Sequence, residues 1–382
     1  MTLPPLSLYI HIPWCEKKCP YCDFNSHERF DPSLERPYLE ALRRDLATQV
    51  DWAAGRQIAT IFIGGGTPSL FSGDAITDLI DSIRSMLTVA TSAEITLESN
   101  PGSRDAQRYT QYREAGINRL SIGVQSFDEG QLQKLGRIHS RSEAFDAIGL
   151  AQQAGFERIN IDLMHGLPGQ SPQAAISDIE LAISTGVSHI SWYQLTIERN
   201  TAFWNDPPTL PVEDDLQTIN EKSYQTLREA GFAQYEVSAW ARAEQACLHN
   251  LNYWQFGDYL AIGAGAHGKV TTQDGQGFRF NRTRAPDHYL AQFSRDTITN
   301  SENQLNPIPD DEKLGEFMMN ALRLTEGFED SLITDRLGIS ADSLRAHCQA
   351  LMERNLLTWI DGRIAPTRLG YQHLDAVVAE FI

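Results

Sequence analysis

Three cysteines stand close together as Cys15-Glu16-Lys17-Lys18-Cys19-Pro20-Tyr21-Cys22. Thiolates are soft ligands, and this spacing lets all three converge on one inorganic centre. An iron–sulfur cube has four iron corners and normally takes four cysteines. The remaining cysteines, Cys247 and Cys348, lie far along the chain. Three local thiols therefore leave one iron open to an outside ligand, and an open position on a redox centre is a reaction site. Two other chemistries fit the same residues. Zinc takes four ligands, and His11 or His27 can complete a Cys3His set. Cys19-Pro20-Tyr21-Cys22 alone has the form of a thioredoxin-like redox pair. A disulfide framework is disfavoured, because the count is odd and no export signal is evident between Met1 and Ile12. A reducing, cytoplasmic setting is the expectation.

Such a loop needs a scaffold. Apolar runs predict strands at Leu6–Ile12, Ile58–Gly65, Glu94–Asn100, Arg119–Gln125, Arg158–Met164 and His189–Thr196. Amphipathic stretches lie between them at Pro37–Val50, Gly73–Leu87, Arg104–Ala115, Ser142–Ala154 and Ser171–Ser184. Gly116, Gly155 and Gly186 supply helix stops. Alternating strand and helix is the signature of a parallel sheet with crossover helices. The expected fold class is α/β, a partial (β/α)6 TIM-type barrel or a doubly wound sheet, with its site at the C-terminal strand ends. The cysteine loop follows the first strand, where such a site belongs.

After Thr196 the rhythm changes. Asp215–Ala230 reads as a helix and Ala233–Ala241 as a strand, while Cys247–Gly268 fits no simple period. Asn306-Pro307-Ile308-Pro309 reads as a linker. Beyond it, two helical stretches precede a short hairpin that turns at Asp361-Gly362. This gives an expected barrel with extension over 1–300 and a small, mostly helical, winged-helix-like domain over 309–382. DNA binding does not follow from such a fold. The chain has 382 residues, 41% of them apolar, and a net charge of −18, which disfavours phosphate neutralisation and hence general nucleic-acid binding. No apolar run approaches a membrane span.

The stretch Tyr9-Ile-His-Ile-Pro-Trp-Cys15 through Cys22 resembles the radical S-adenosylmethionine superfamily, whose mark is C-x3-C-x2-C. Its Y-x-H-I-P form resembles the branch that contains oxygen-independent coproporphyrinogen III oxidase. The resemblance runs on through Gly64-Gly65-Gly66-Thr67-Pro68-Ser69, Glu98-Ser-Asn-Pro101, Ser121-Ile-Gly-Val-Gln125, Leu135-Gly-Arg137 and Asp162-Leu-Met-His-Gly-Leu-Pro168-Gly169. It covers roughly residues 6 to 268, in order. What it implies is a [4Fe-4S] cluster on Cys15, Cys19 and Cys22, with the aminocarboxylate of S-adenosylmethionine chelating the open iron. An electron from the cluster then splits the sulfonium and releases a 5′-deoxyadenosyl radical. The cofactor carries the chemistry, and the protein positions and insulates it. The matched ligand contacts are Tyr9, Tyr21, Gly65, Gly66, Thr67, Glu98, Gln125, Arg137 and Asp162.

Two features depart from the oxidases of that family. They carry a fourth cysteine two residues after the third, where this chain has Phe24, and a longer segment ahead of the first strand. Both argue against coproporphyrinogen oxidation and point to the haem-chaperone branch. His249-Asn250-Leu-Asn-Tyr253-Trp254 matches the H-N-x-x-Y-W motif of that branch. The match implies haem iron on the His249 imidazole, with the flat rings of Tyr253 and Trp254 over the porphyrin. The competing reading is a structural histidine among core aromatics. Cys247 is an alternative thiolate ligand or a plain buried thiol, and His11, His165, His189 and His267 have weaker claims. Implied partners are haem, haem-accepting (including respiratory) apoproteins, and an electron donor if the radical chemistry operates. An oxidase or another radical enzyme acting on a tetrapyrrole is the alternative. Gly263-Ala-Gly265-Ala-His-Gly268 spells a dinucleotide fingerprint, but no helix pattern follows it in Lys269–Phe278. A close backbone approach to the ligand is expected there instead.

Overall fold

The computed structural model describes residues 3–28, 30–102, 107–294 and 304–382. The first residues of the helix expected over Arg104–Ala115, and the expected domain boundary at 300, lie outside them. The helix itself is described over Tyr109–Glu114.

Six strands appear where the apolar runs place them: β1 (Leu6–Ile12), β2 (Ile58–Gly65), β3 (Val89–Ser99), β4 (Arg119–Gln125), β5 (Arg158–His165) and β6 (His189–Gln194). They pair in chain order, all parallel. Crossover helices follow at Glu35–Ala47, Gly73–Met86, Arg141–Gln153 and Pro172–Ser184. Ser72, Ser140 and Ser171 each accept a backbone N–H of the first turn, and Ser140 with Glu143 forms a capping box. These caps fix where each helix leaves its strand end.

The sheet continues past both ends of this set. The run expected as one strand over Ala233–Ala241 is a hairpin, β7 (Ala233–Glu236) and β8 (Ala239–Ala241), and β8 pairs antiparallel with β6. The segment without a period resolves into a helix, Leu248–Trp254, and a strand, β9 (Asp258–Ile262). β9 lies parallel to β1 on its open side, so the parallel set has seven strands rather than six. β10 (His267–Thr271), β11 (Gly277–Asn281) and β12 (Asn306–Pro307) extend that edge antiparallel. The expected linker is thus partly strand, and its Ile308 is buried in a second apolar core.

That second core belongs to the C-terminal unit. Helices Lys313–Ala321, Ser331–Leu337 and Ala341–Glu353 pack on a three-stranded antiparallel sheet that contains the hairpin Leu357–Ile360 and Arg363–Pro366. Helices followed by a hairpin match the winged-helix-like expectation.

Alternation along the strands builds the site. Leu8, Ile10, Ile61, Ile63, Leu97, Leu120, Ile122, Ile161 and Leu163 are buried in the principal apolar core. The alternate positions are Ser7, Tyr9, Thr60, Phe62, Glu94, Thr96, Glu98, Arg119, Ser121, Asn160, Asp162, Ser191 and Tyr193. Side chains of this second set from β2 through β6 line one cavity, so the sheet curls around it as an incomplete barrel.

Candidate cluster and cofactor site

The cysteine loop leaves β1 and is tied down at several points. Trp14–Cys15 pairs with His27–Glu28. Lys18 donates from its backbone to Glu28 and from its ammonium to the carbonyls of Phe24 and Ser26. Asn25 donates to the carbonyls of Ala264 and Arg284, both at 2.9 Å. Its own carbonyl meets His11 Nε2 at 2.8 Å. The second glycine pattern serves this same clasp: a side chain on Gly263 would put its Cβ 2.2 Å from the His11 carbonyl oxygen. The close approach expected there is to the chain itself, and β10 rather than a helix follows it.

Cys15, Cys19 and Cys22 are all half-buried and line a cavity of about 480 Å³, within the usual range for small-molecule sites. Burial holds the Cys15 and Cys22 thiols above the ordinary thiol range. Binding iron there must release their protons. Arg137 reaches from the far wall and donates to Cys19 Sγ at 3.6 Å. A guanidinium beside thiolates balances their charge, and the donor set suits a cluster. The zinc alternative loses one of its two histidines: both ring nitrogens of His11 are engaged, by Tyr9 and by Asn25, whereas His27 keeps a buried Nε2 without a partner. Among the described residues no group of three or more His, Cys, Asp or Glu side chains is set to hold a single metal ion.

Tyr21, Gly65, Gly66, Thr67, Glu98, Gln125, Arg137 and Asp162 line the same cavity. Tyr9 stands behind this wall, bonded to His11 at 2.9 Å and stacked on Phe62. Glu98 accepts the Gly65 N–H at 3.0 Å, which locks β3 to the glycine turn after β2. Arg137 donates to Asn100 Oδ1 at 2.7 Å and to the Gly123 carbonyl. Asn100 in turn donates to Thr67 Oγ1 at 2.9 Å. Asp162 accepts from Ser121 at 3.0 Å and from Asn160 at 2.8 Å. Gln125 holds a left-handed φ of +69°, a conformation that non-glycine residues keep only where their surroundings enforce it. Burial, and secondarily the charge of Asp162, pushes Glu98 up to about 8. Two enclosed carboxylates facing one space prepare it for a cationic ligand.

Phe62, Arg119, Ser191 and Tyr193 line the cavity outside every motif of the sequence reading, whereas Asn160, Met164 and Asn250 stood within its motifs without a part assigned. A signal was present. Arg119, Ser121 and Gly123 precede Gln125 at a period of two, as Asn160 precedes Asp162.

The aromatic motif lies deeper. His249 is 2% exposed and does not line the cavity, but packs on Phe62, which does, at 5.1 Å. Its Nδ1 is 2.7 Å from Thr60 Oγ1, while its Nε2 is buried without a partner. Burial depresses the imidazole to about 3, so it is neutral. Tyr253 meets the ring edge-on at 4.9 Å, whereas Trp254 lies under the Arg323 guanidinium at 4.5 Å. Glu94 anchors the start of this helix, accepting from the amides of Leu248 and His249 while pairing with Arg158 at 2.9 Å. Cys247 is buried and its thiol is pushed up to about 12 by burial, as a plain thiol would be. His189 is held between Asn160 and Tyr235, and His165 stacks on Trp192.

Comparison with known proteins places this geometry. Residues 9–182 match the radical SAM superfamily, and residues 308–373 match the HemN C-terminal domain. The heme chaperone HemW of Escherichia coli K12 is 48% identical over 358 residues, 94% of this chain and 93% of its own length. The heme chaperone HemW of Bacillus subtilis 168 is 34% identical, with 88% of each chain covered. Among solved structures, the coproporphyrinogen III oxidase HemN of Escherichia coli superposes with a TM-score of 0.82 at 21% identity, covering 99% of this chain and 90% of that one. At that identity the superposition speaks for the fold, whereas the HemW relatives match nearly end to end. The chain belongs to the radical SAM superfamily and, within it, to the family of the heme chaperone HemW proteins.

Proposed function

We propose that this chain is a cytoplasmic haem chaperone. It holds a [4Fe-4S] cluster on Cys15, Cys19 and Cys22, takes S-adenosylmethionine at the iron these leave open, and delivers haem to acceptor apoproteins. The observation that carries the reading is the 48% identity, across 94% of the chain, to a relative named for haem chaperoning. No helix among the described residues is long and apolar enough to cross a membrane.

In this reading the residues divide the work. Gly65, Gly66 and Thr67 bring backbone close to the amino acid part of S-adenosylmethionine, and Arg137 faces its carboxylate. Glu98 and Asp162 face its sulfonium, and Tyr21 covers the cluster side. When bound, the cluster supplies one-electron chemistry to the sulfonium. His249 offers its partnerless Nε2 to haem iron. Because Phe62 and the Glu94-anchored helix enclose that ring, haem uptake requires Phe62 or the helix to move. Tyr253 travels with His249 and covers one porphyrin face.

The oxidase reading is weakened at one position. Phe24, where the oxidases place a fourth cysteine, is 63% exposed and lines the cavity. The deciding experiment incubates the anaerobically reconstituted protein with coproporphyrinogen III, S-adenosylmethionine and a reductant, and separately titrates it with haem. Haem binding with no protoporphyrinogen IX supports the proposal, and steady conversion of coproporphyrinogen refutes it. His249→Ala should lose or shift the haem Soret band while the cluster absorbance stays. An unchanged band would remove His249 as ligand.

A further inference from the structure

Arg119 begins β4 with its side chain turned into the barrel, 2% exposed and lining the cavity. Among the described residues it has no hydrogen-bond or ion-pair partner. The nearby carboxylates take their hydrogen bonds from other groups. Glu94 holds Arg158 and the start of the Leu248–Trp254 helix. Asp162 accepts from Ser121 and Asn160. A buried guanidinium without an acceptor is costly, and its charge has to be balanced by anions that share its space.

Those anions stand beside it in the cavity wall. Glu98 and Asp162 project inward from β3 and β5, on either side of β4, and Arg119 acts electrostatically on both. S-adenosylmethionine brings its sulfonium charge into this space, while its amino nitrogen, once on the iron, would no longer be an ammonium. That cation is held most strongly with both carboxylates ionised, which two enclosed like charges resist. We propose that Arg119 is the internal counter-charge of the S-adenosylmethionine site, a positioning residue that allows Glu98 and Asp162 to be ionised together. This rests on the S-adenosylmethionine reading given above.

The other groups around these three leave the role to Arg119. Glu98 also faces the Gly65 N–H and Tyr9. Asp162 also faces Asn160, Ser121, Ser191 and Tyr193. Arg119 also faces Cys247, Glu94 and Tyr235, with His189 and His249 beyond. Arg158 is a second cation nearby, and it is paired with Glu94.

The test is equilibrium dialysis of S-adenosylmethionine against the anaerobically reconstituted protein from pH 6 to 9. In the wild type, affinity should rise with pH toward about 8, where Glu98 loses its proton. Arg119→Gln should displace that rise upward by about one pH unit, so that binding at neutral pH weakens ~10-fold and recovers by about pH 9. Arg119→Lys, which restores the charge, should restore most of the profile. Asp162→Asn should move the rise downward, because it removes the like charge. S-adenosylhomocysteine, without the sulfonium charge, should respond less to Arg119→Gln. An unshifted profile in Arg119→Gln overturns the inference, as does a pH-independent loss that Arg119→Lys does not repair. A wild type that binds no S-adenosylmethionine at any pH removes the underlying reading and this inference with it.

Discussion

Gly66→Ala tests how the glycine turn sets the cysteine loop. A Cβ on Gly66 would lie 2.4 Å from the Trp14 carbonyl oxygen and 2.7 Å from its carbon. Ordinary contact begins near 3.4 Å, so one of the two backbones must retreat by about 1 Å. Neither can do so freely. The Gly66 amide donates to the Ile12 carbonyl at 2.8 Å, and the Thr67 amide donates to that same Trp14 carbonyl at 2.7 Å. Overpacking costs ~1–3 kcal/mol. Weakening one of these bonds adds ~1 kcal/mol. The expected loss is therefore about 2–4 kcal/mol. Trp14 adjoins Cys15, so the displacement reaches the first of the proposed cluster ligands directly. Urea denaturation should report the stability loss, and iron analysis after anaerobic reconstitution should show a deficit. Gly149→Ala is the control: it lies in the Arg141–Gln153 helix with nothing within 4 Å of the added carbon. There alanine should stabilise by ~0.5–1 kcal/mol through helix propensity. A Gly66→Ala protein with wild-type stability and full iron content would refute the close-approach argument.

Replacing Cys15, Cys19 and Cys22 together by Ala should abolish iron and sulfide uptake, whereas Cys247→Ala and Cys348→Ala should retain it. Tightly bound zinc without iron would return the site to the zinc alternative. In the ligand-free protein Glu98 holds its proton up to about pH 8, against 4.5 for an ordinary glutamate. Across that window the unfolded chain ionises and the folded chain does not. Its contribution is thus full at low pH and declines as pH rises, by up to ~1.4 kcal/mol per unit. Glu98→Gln should flatten this part of the stability profile in urea melts between pH 5 and 8, and parallel profiles would contradict the burial of that carboxyl group.

Much of the fold was legible because each crossover unit is local. Apolar runs such as Leu6–Ile12 and Arg119–Gln125, followed by capped amphipathic stretches, carry their own signal within about thirty residues. β9 was not legible, since Asp258–Ile262 finds its partner at β1 across some two hundred and fifty residues, and no local pattern encodes that pairing. That Cys15, Cys19 and Cys22 share one cavity was legible from their spacing, whereas the choice among cluster, zinc and redox pair was not. The polar lining was only half so: alternation in β4 reads as a half-exposed strand, whereas both of its faces are enclosed, one by helices and one by the barrel. That is why Arg119 passed unremarked beside Gln125. The motif at His249 was legible as a pattern, but its depth behind Phe62 depends on the clamp from Glu94, which lies far away in sequence.

Haem hand-over tests the account most directly. The haem-loaded, reconstituted protein is mixed anaerobically with an apo-haemoprotein, and the Soret band is followed as haem changes ligands. The account predicts that the chaperone band decays as the acceptor's band grows, faster than from an equal amount of His249→Ala protein or haem bound nonspecifically to albumin. Haem that stays with the chain, or reaches the acceptor no faster than from albumin, would contradict it.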